Sequence, residues 1–159
     1  MASWKHARNV SLSAHIQSAN TIVDSMKSVG IPVIAYSPVG RGWLTGQFKK
    51  LDDLPPSDFR RVHFDRFKPE VFDQNYKLVE AVEKIAERKG LKTAQIAIAW
   101  VARQGAIPIP GSTNLERTAM NSKLADLNDE DMLDLQKAMD AFPVGGKRFG
   151  GAHEKLLNQ

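Results

Sequence analysis

Ile107-Pro108-Ile109-Pro110-Gly111-Ser112-Thr113-Asn114-Leu115-Glu116-Arg117 joins a short β-branched run, a Pro/Gly break and a helix start that carries hydroxyls and a guanidinium. That order is the layout of a strand end that binds phosphate. The first backbone N–H groups of a helix lack intrahelical partners and sit at the positive end of its macrodipole, so an anion is stabilised there. Thr113 and Glu116 fit the S/T-x-x-E capping box, which predicts a helix capped by Thr113. Taken alone, the segment is read equally well as an ordinary capped helix after a buried strand.

A second segment of the same kind shifts the balance. Ile31-Pro32-Val33-Ile34-Ala35-Tyr36 is a continuous apolar run of strand length, followed by Ser37-Pro38-Val39-Gly40-Arg41-Gly42-Trp43-Leu44-Thr45-Gly46. Short all-apolar runs read as strands buried on both faces, the signature of a parallel sheet. Helical patterns lie between the two runs, and parallel strands joined by helical crossovers bring their C-terminal ends to one side, where α/β folds bind ligands. Two glycine- and hydroxyl-bearing loops are therefore expected to face one crevice.

Composition bounds this reading. The 159 residues are 42% hydrophobic and 25% charged, the range of a single soluble globular unit. Lys+Arg 22 against Asp+Glu 18 leaves a formal charge of +4, spread along the chain. That suits an anionic small molecule and does not make the basic patch of a nucleic-acid binder. Zero cysteines exclude a disulfide framework and are compatible with a reducing compartment. Met1 to Arg8 has no apolar signal-peptide core and no run approaches a membrane span, so the expected location is the cytosol.

Helices are predicted over His15 to Gly30, from Ile16, Ile22, Val23 and Met26, and over Val71 to Lys89, where Leu78, Val79, Val82, Ile85 and Ala86 share a face and Gly90 ends the pattern. Thr93 is placed as the cap of a buried helix, Ala94 to Gln104, and the second strand is Ala106 to Ile109. A last helix is predicted to start at Asn128, with Met132, Leu135, Met139 and Phe142 inward. Two stretches read as loops: Ser37 to Glu70, with four prolines and Asp52-Asp53, and the glycine-rich tail from Gly145 to Gly151. Connections as long as the first are usually functional or mobile, and this one is a candidate to close over a ligand. Trp43 and Trp100 read as packing residues, and His6, His15, His63 and His153 show no metal-ligand spacing.

Ile31 to Gly46, Thr93-Ala94-Gln95-Ile96-Ala97-Ile98-Ala99-Trp100-Val101, and Ile107 to Thr113 with Arg117 and Asn121 resemble the C-terminal half of an aldo-keto reductase, most nearly the fungal type that includes pyridoxal reductases. The resemblance runs from about residue 10 to the C-terminus. It implies an α/β chain forming part of a TIM (β/α)8 barrel: the last two to three β/α units, C-terminal helix and tail, all within one partial domain spanning 1–159. The family holds NADP(H) across the barrel mouth, so the two strands would be the seventh and eighth. On that reading Tyr36 stacks on the nicotinamide, and Ser37, Val39, Gly40 and Arg41 line the pyrophosphate path. Ser112, Thr113 and Arg117 hold the adenosine 2′-phosphate, and Asn121 reaches the adenine edge. The chain departs from the family pattern at Met120, where Glu is usual, and at Gly111, where some relatives carry Lys. Gly146-Lys147-Arg148-Phe149 resembles the loop bordering the substrate pocket. Read without the resemblance, Tyr36 is equally a core tyrosine and Arg41 a solvated loop charge.

The family reduces carbonyl compounds with a Tyr acid assisted by Asp, Lys and His, all from the first half of the barrel. No such tetrad is found here: Tyr76, the other tyrosine, falls within an amphipathic helix, and Asn9 to Ser13 keeps only a trace of the sixth strand. A TIM barrel usually needs about 250 residues. The expectation is a C-terminal fragment of an NADPH-dependent aldo-keto reductase acting on a small-molecule carbonyl substrate, retaining the cofactor-binding half and inactive alone. The alternatives are a non-catalytic NADP(H)-binding or interaction half-barrel that completes its sheet with a partner, and an active half-barrel oligomer. Unpaired strand edges would favour self-association.

Overall fold

In the computed structural model, which describes residues 24–147, the two apolar runs form a two-stranded parallel sheet. Strand β1 is Val33–Tyr36 and β2 is Ala106–Ile109, paired Val33 to Ala106 through Tyr36 to Ile109. The helices are α1 (Phe59–His63), α2 (Pro69–Lys89), α3 (Thr93–Arg103), α4 (Leu115–Asn121) and α5 (Asp129–Ala141). Helical residues 24–28 precede β1 and end in a turn at Gly30, whose φ of 68° suits glycine. The rest of the helix predicted from His15, the Asn9 to Ser13 trace, three of the four histidines and the tail beyond Lys147 lie outside the described residues.

α2 packs on α3 and α5, and α3 packs on β2. Phe72, Leu78, Val79, Val82 and Ile85 of α2 meet Ile96, Ala97, Trp100 and Val101 of α3 in one core that also takes in Val33, Ala35 and Ala106. Pro69 opens α2 at a position where its missing N–H costs no intrahelical bond, and left-handed Gly90 closes it, its N–H bonding back to Ala86 and Glu87 carbonyls. Trp43 and Trp100 are both buried, as their reading as packing residues requires.

The strands are not buried on both faces. Ile34, Ile107 and Ile109 are about half exposed, at 50%, 52% and 51%, while Val33, Ala35 and Ala106 are buried. Among the described residues, helices cover only one side of this sheet, so the side-chain alternation of a strand sorts the residues into a covered and an uncovered face. The apolar run predicted burial on both sides because a continuous run carries no information about what covers the second one.

Two caps also differ from expectation. Thr93 is the first residue of α3, preceded by Lys92, whose N–H donates to Gln95 Oε1 at 3.1 Å. Asn114 rather than Thr113 caps α4, its Oδ1 accepting from the Arg117 N–H at 2.9 Å, so the Thr113/Glu116 box does not form. Asn is at least as good a cap as Thr, and shifting the start by one residue frees Thr113 for the loop.

α5 begins after Asn128, with Asn128 and Asp131 bonding each other's backbone N–H groups. The buried Asp131 carboxylate also accepts from Lys89 Nζ at 2.6 Å and Arg88 Nη2 at 2.9 Å. Burial alone would raise its pKa, but Lys89, the Asn128 N–H and Arg88 together hold it below the usual carboxylate range. Cations at the C-terminus of α2 and an anion in the first turn of α5 also match both helix dipoles.

The stretch from Ser37 to Lys68 is not an open loop. It folds into a helical turn at Gly40–Thr45, a turn at Leu51–Asp53, α1, and a turn at Asp65–Phe67. Trp43, Leu44, Leu54, Phe64 and Phe67 are buried and anchor it to the core. No helix among the described residues is long and apolar enough to cross a membrane.

Candidate cofactor-binding site

Because Tyr36 pairs with Ile109 in a parallel register, the loops after β1 and β2 leave the sheet side by side from the same edge. Tyr36, half-buried, shares the uncovered face with Ile34 and stands next to Ile109. The sequence-predicted residues of both loops are thus brought to one end of the sheet.

The first loop is stiff. Ser37 takes the left-handed conformation at φ 52°, rare for a residue with a Cβ, and its carbonyl accepts from the Gly40 N–H at 3.0 Å. The Val39 carbonyl accepts from the N–H groups of Gly42 and Leu44, at 3.1 and 3.2 Å. Buried Pro38 and Leu44 pin the turn on either side. Arg41 is also left-handed, at φ 58°, and lays its guanidinium 3.9 Å from the centre of the Phe64 ring. Its burial lowers the pKa from the ordinary arginine value, which leaves it a cation at neutral pH.

Arg60 holds this turn from the side. Its Nη1 donates to the Arg41 carbonyl at 3.2 Å, and the guanidinium lies 4.4 Å from the Phe48 ring centre. Asp58 fixes Arg60 through a two-point pair, Nε to Oδ1 at 2.9 Å and Nη2 to Oδ2 at 2.8 Å. The Arg60 side-chain bonds are the main reason the Asp58 carboxyl is pulled down to about 2.

On the second loop Gly111, Ser112, Thr113 and Arg117 are all exposed. Ser112 Oγ accepts from the Asn114 N–H at 3.1 Å and lies 3.5 Å from Arg117 Nε, so hydroxyl and guanidinium converge one turn into α4. A side chain at Gly111 would meet nothing within 4 Å. Asn121 sits half-buried at the far end of α4, one helical turn after Arg117 and on the same side of the helix. A hydroxyl beside a guanidinium fork, open to solvent, is a donor set for a phosphate monoester; a tight turn of fixed backbone beside a tyrosine suits a flat ring and its linked phosphates.

Tyr76 lies on α2, where burial first, and then the nearby carboxylates Glu83 and Glu80, raise its pKa. Among the described residues no group of three or more His, Asp or Glu is placed to hold a metal ion. Sequence reasoning missed Arg60, Phe64 and Asn75. The contacts of Arg60 with the Arg41 carbonyl and of Phe64 with the Arg41 guanidinium carry no local signal, since those partners are distant in sequence. Asn75 did carry one: it is a polar residue on the apolar face of α2, between Phe72 and Leu78.

The family model described as aldo/keto reductase family matches residues 8–140. A probable pyridoxal reductase 2 of Schizosaccharomyces pombe is 32% identical over 149 residues, covering 87% of this chain and 44% of that protein. Aldo-keto reductase yakc of the same organism, whose name specifies NADP(+), is 34% identical over 141 residues, covering 86% of this chain and 41% of its own length. A glycerol dehydrogenase structure from Gluconobacter oxydans superposes with a TM-score of 0.73 at 22% identity, covering 85% of this chain and 42% of that one. The chain therefore spans less than half the length of these relatives, and its fold is part of a TIM barrel.

Proposed function

The chain belongs to the aldo/keto reductase family, and from that premise we propose that its two strand-end loops bind NADP(H) as the cofactor-holding part of a carbonyl reductase. The observation that carries this reading is the β1 to β2 register, which sets the Ser37 to Arg41 turn and the Ser112 and Arg117 pair at one sheet edge. Tyr36 supports the nicotinamide, and Ser37, Val39, Gly40 and Arg41 line the pyrophosphate. Ser112, Thr113 and Arg117 take the 2′-phosphate, with Gly111 leaving room and Asn121 serving the adenine. Bound there, the nicotinamide supplies hydride to a small-molecule carbonyl group. The chain's own residues bind and orient it. The setting is cytosolic, in keeping with a sequence free of cysteine. Titrating the chain with NADPH and following nucleotide fluorescence tests the assignment: saturable binding supports it, and none at millimolar NADPH contradicts it.

A second reading rests on the uncovered sheet face. Ile34, Ile107 and Ile109 expose a contiguous apolar patch on a sheet that has two strands among the described residues. Such a surface associates with another chain unless it is covered. In this reading the chain binds NADP(H) without reducing anything, and completes its sheet with a partner or a second copy. Sedimentation of the isolated chain should show self-association that an Ile107→Ser, Ile109→Ser double variant suppresses. A parent chain that stays monomeric at high concentration counts against it.

A further inference from the structure

Asn75 is a fully buried amide on the apolar face of α2, and each of its bonds goes to backbone. Its Oδ1 accepts from the Gly145 N–H at 2.7 Å. Its Nδ2 donates to the Gly145 carbonyl at 3.0 Å and to the Arg66 carbonyl at 3.1 Å. The side chain thus pairs with Gly145 as a neighbouring strand would, and ties the same amide to the turn at Asp65–Phe67.

The next residue is fitted as closely. Gly146 has a φ of 83°, and a Cβ on it would lie 2.8 Å from the Asp65 carbonyl carbon, 2.9 Å from its oxygen and 3.0 Å from the Arg66 nitrogen. Backbone atoms cannot yield as a flexible side chain can, so only glycine passes here. The segment after α5 is therefore threaded between Asn75 and the Asp65 to Arg66 backbone. That backbone is continuous with Phe64, whose ring carries the Arg41 guanidinium.

We propose that Asn75 is a positioning residue that clamps the segment at Gly145 and Gly146 against the Asp65 to Phe67 turn, so that the seating of this segment sets the placement of Arg41 at the pyrophosphate. The proposal rests on the cofactor reading above and adds a link that reading does not contain. Coupling of this kind acts through packed backbone with two arrangements, segment seated or segment released.

Two variants test it. Asn75→Leu removes the three bonds, and Gly146→Ala leaves Asn75 and the core intact while driving Cβ into the Asp65 backbone, which keeps the test decisive if the first variant fails to fold. Hydrogen exchange at the Gly145 amide should quicken about tenfold or more in both, the effect of losing one buried hydrogen bond. NADPH and NADH should each bind at least about fivefold more weakly, the lower end of measured couplings between sites. Because the pyrophosphate is common to both nucleotides, the two losses should be equal. Unchanged Gly145 exchange in the folded variants overturns the clamp. Faster exchange with unchanged nucleotide affinity overturns the link to Arg41. A parent chain that binds neither nucleotide overturns the cofactor reading and the link together, while Gly145 exchange still decides for or against the clamp.

Discussion

Arg117→Ala should weaken NADPH binding by about tenfold while leaving NADH binding nearly unchanged. A hydrogen bond to a charged group is worth about 1.5 to 3 kcal/mol, and the exposure of Arg117 places its effect at the lower end, about 1.4 kcal/mol or tenfold. The selectivity follows from position. Arg117 converges with Ser112 on the second loop, away from the Arg41 turn, so its removal touches only the phosphate that distinguishes the two nucleotides. Gly111→Lys should act in the opposite sense, since the site at Gly111 is open and a second cation there adds attraction without a clash. Parallel titrations with both nucleotides check this, and equal losses on Arg117→Ala contradict the 2′-phosphate assignment.

Asp131→Ala should lower the stability of the folded chain by about 2 kcal/mol, the effect of losing charge-assisted bonds to a buried carboxylate while Arg88 keeps Asp134 and both cations stay partly exposed. Three groups converge on this carboxylate, Lys89, Arg88 and the Asn128 N–H, and it joins the end of α2 to the start of α5. Asp131→Asn keeps an acceptor for Asn128 and should lose less, which separates the cap from the charge. Denaturant unfolding of both variants measures the difference. The same chemistry sets a pH dependence. Asp58 and Asp131 both have pKa values lowered by folding. Their stabilising effect is therefore complete above the ordinary carboxylate value of about 3.9 and is lost as protons bind the folded form. For Asp58 that loss runs from about pH 4 down to its folded value of about 2. Chemical unfolding across this range should show stability falling with falling pH, and a shallower fall in an Asp58→Asn, Asp131→Asn variant, where Asp53, also lowered by the Lys50 and Lys49 N–H groups, still titrates.

What was legible in the sequence followed from local chemistry. Both strands and helices α2, α3 and α5 announce themselves through apolar spacing, with Gly90 as the stop of α2, because those signals act within one or two turns; the entry of α2 at Pro69 reads as loop in the sequence. Both strand-end loops were readable for the same reason: a Pro/Gly break after an apolar run is a local event. The caps of α3 and α4 were misplaced by a residue because Thr93 and Thr113 each have a neighbour, Lys92 or Asn114, able to take the same position. Other features were not readable because they depend on distant partners. Nothing near Ile107 tells whether its side of the sheet is covered. Nothing near Arg60 tells that its guanidinium reaches back to the Arg41 carbonyl, nineteen residues earlier in the chain. The order within the stretch from Ser37 to Lys68 is of this kind, held by Arg41 on Phe64, Arg60 on Phe48 and Arg61 on the Leu54 carbonyl.

Whether the two strand-end loops together hold an NADP(H) molecule is tested most directly by titrating the purified chain with NADPH, set against NADH under identical salt. Saturable binding of both, tighter for NADPH, is the predicted result; no saturable binding of either at millimolar nucleotide would contradict the shared cofactor site.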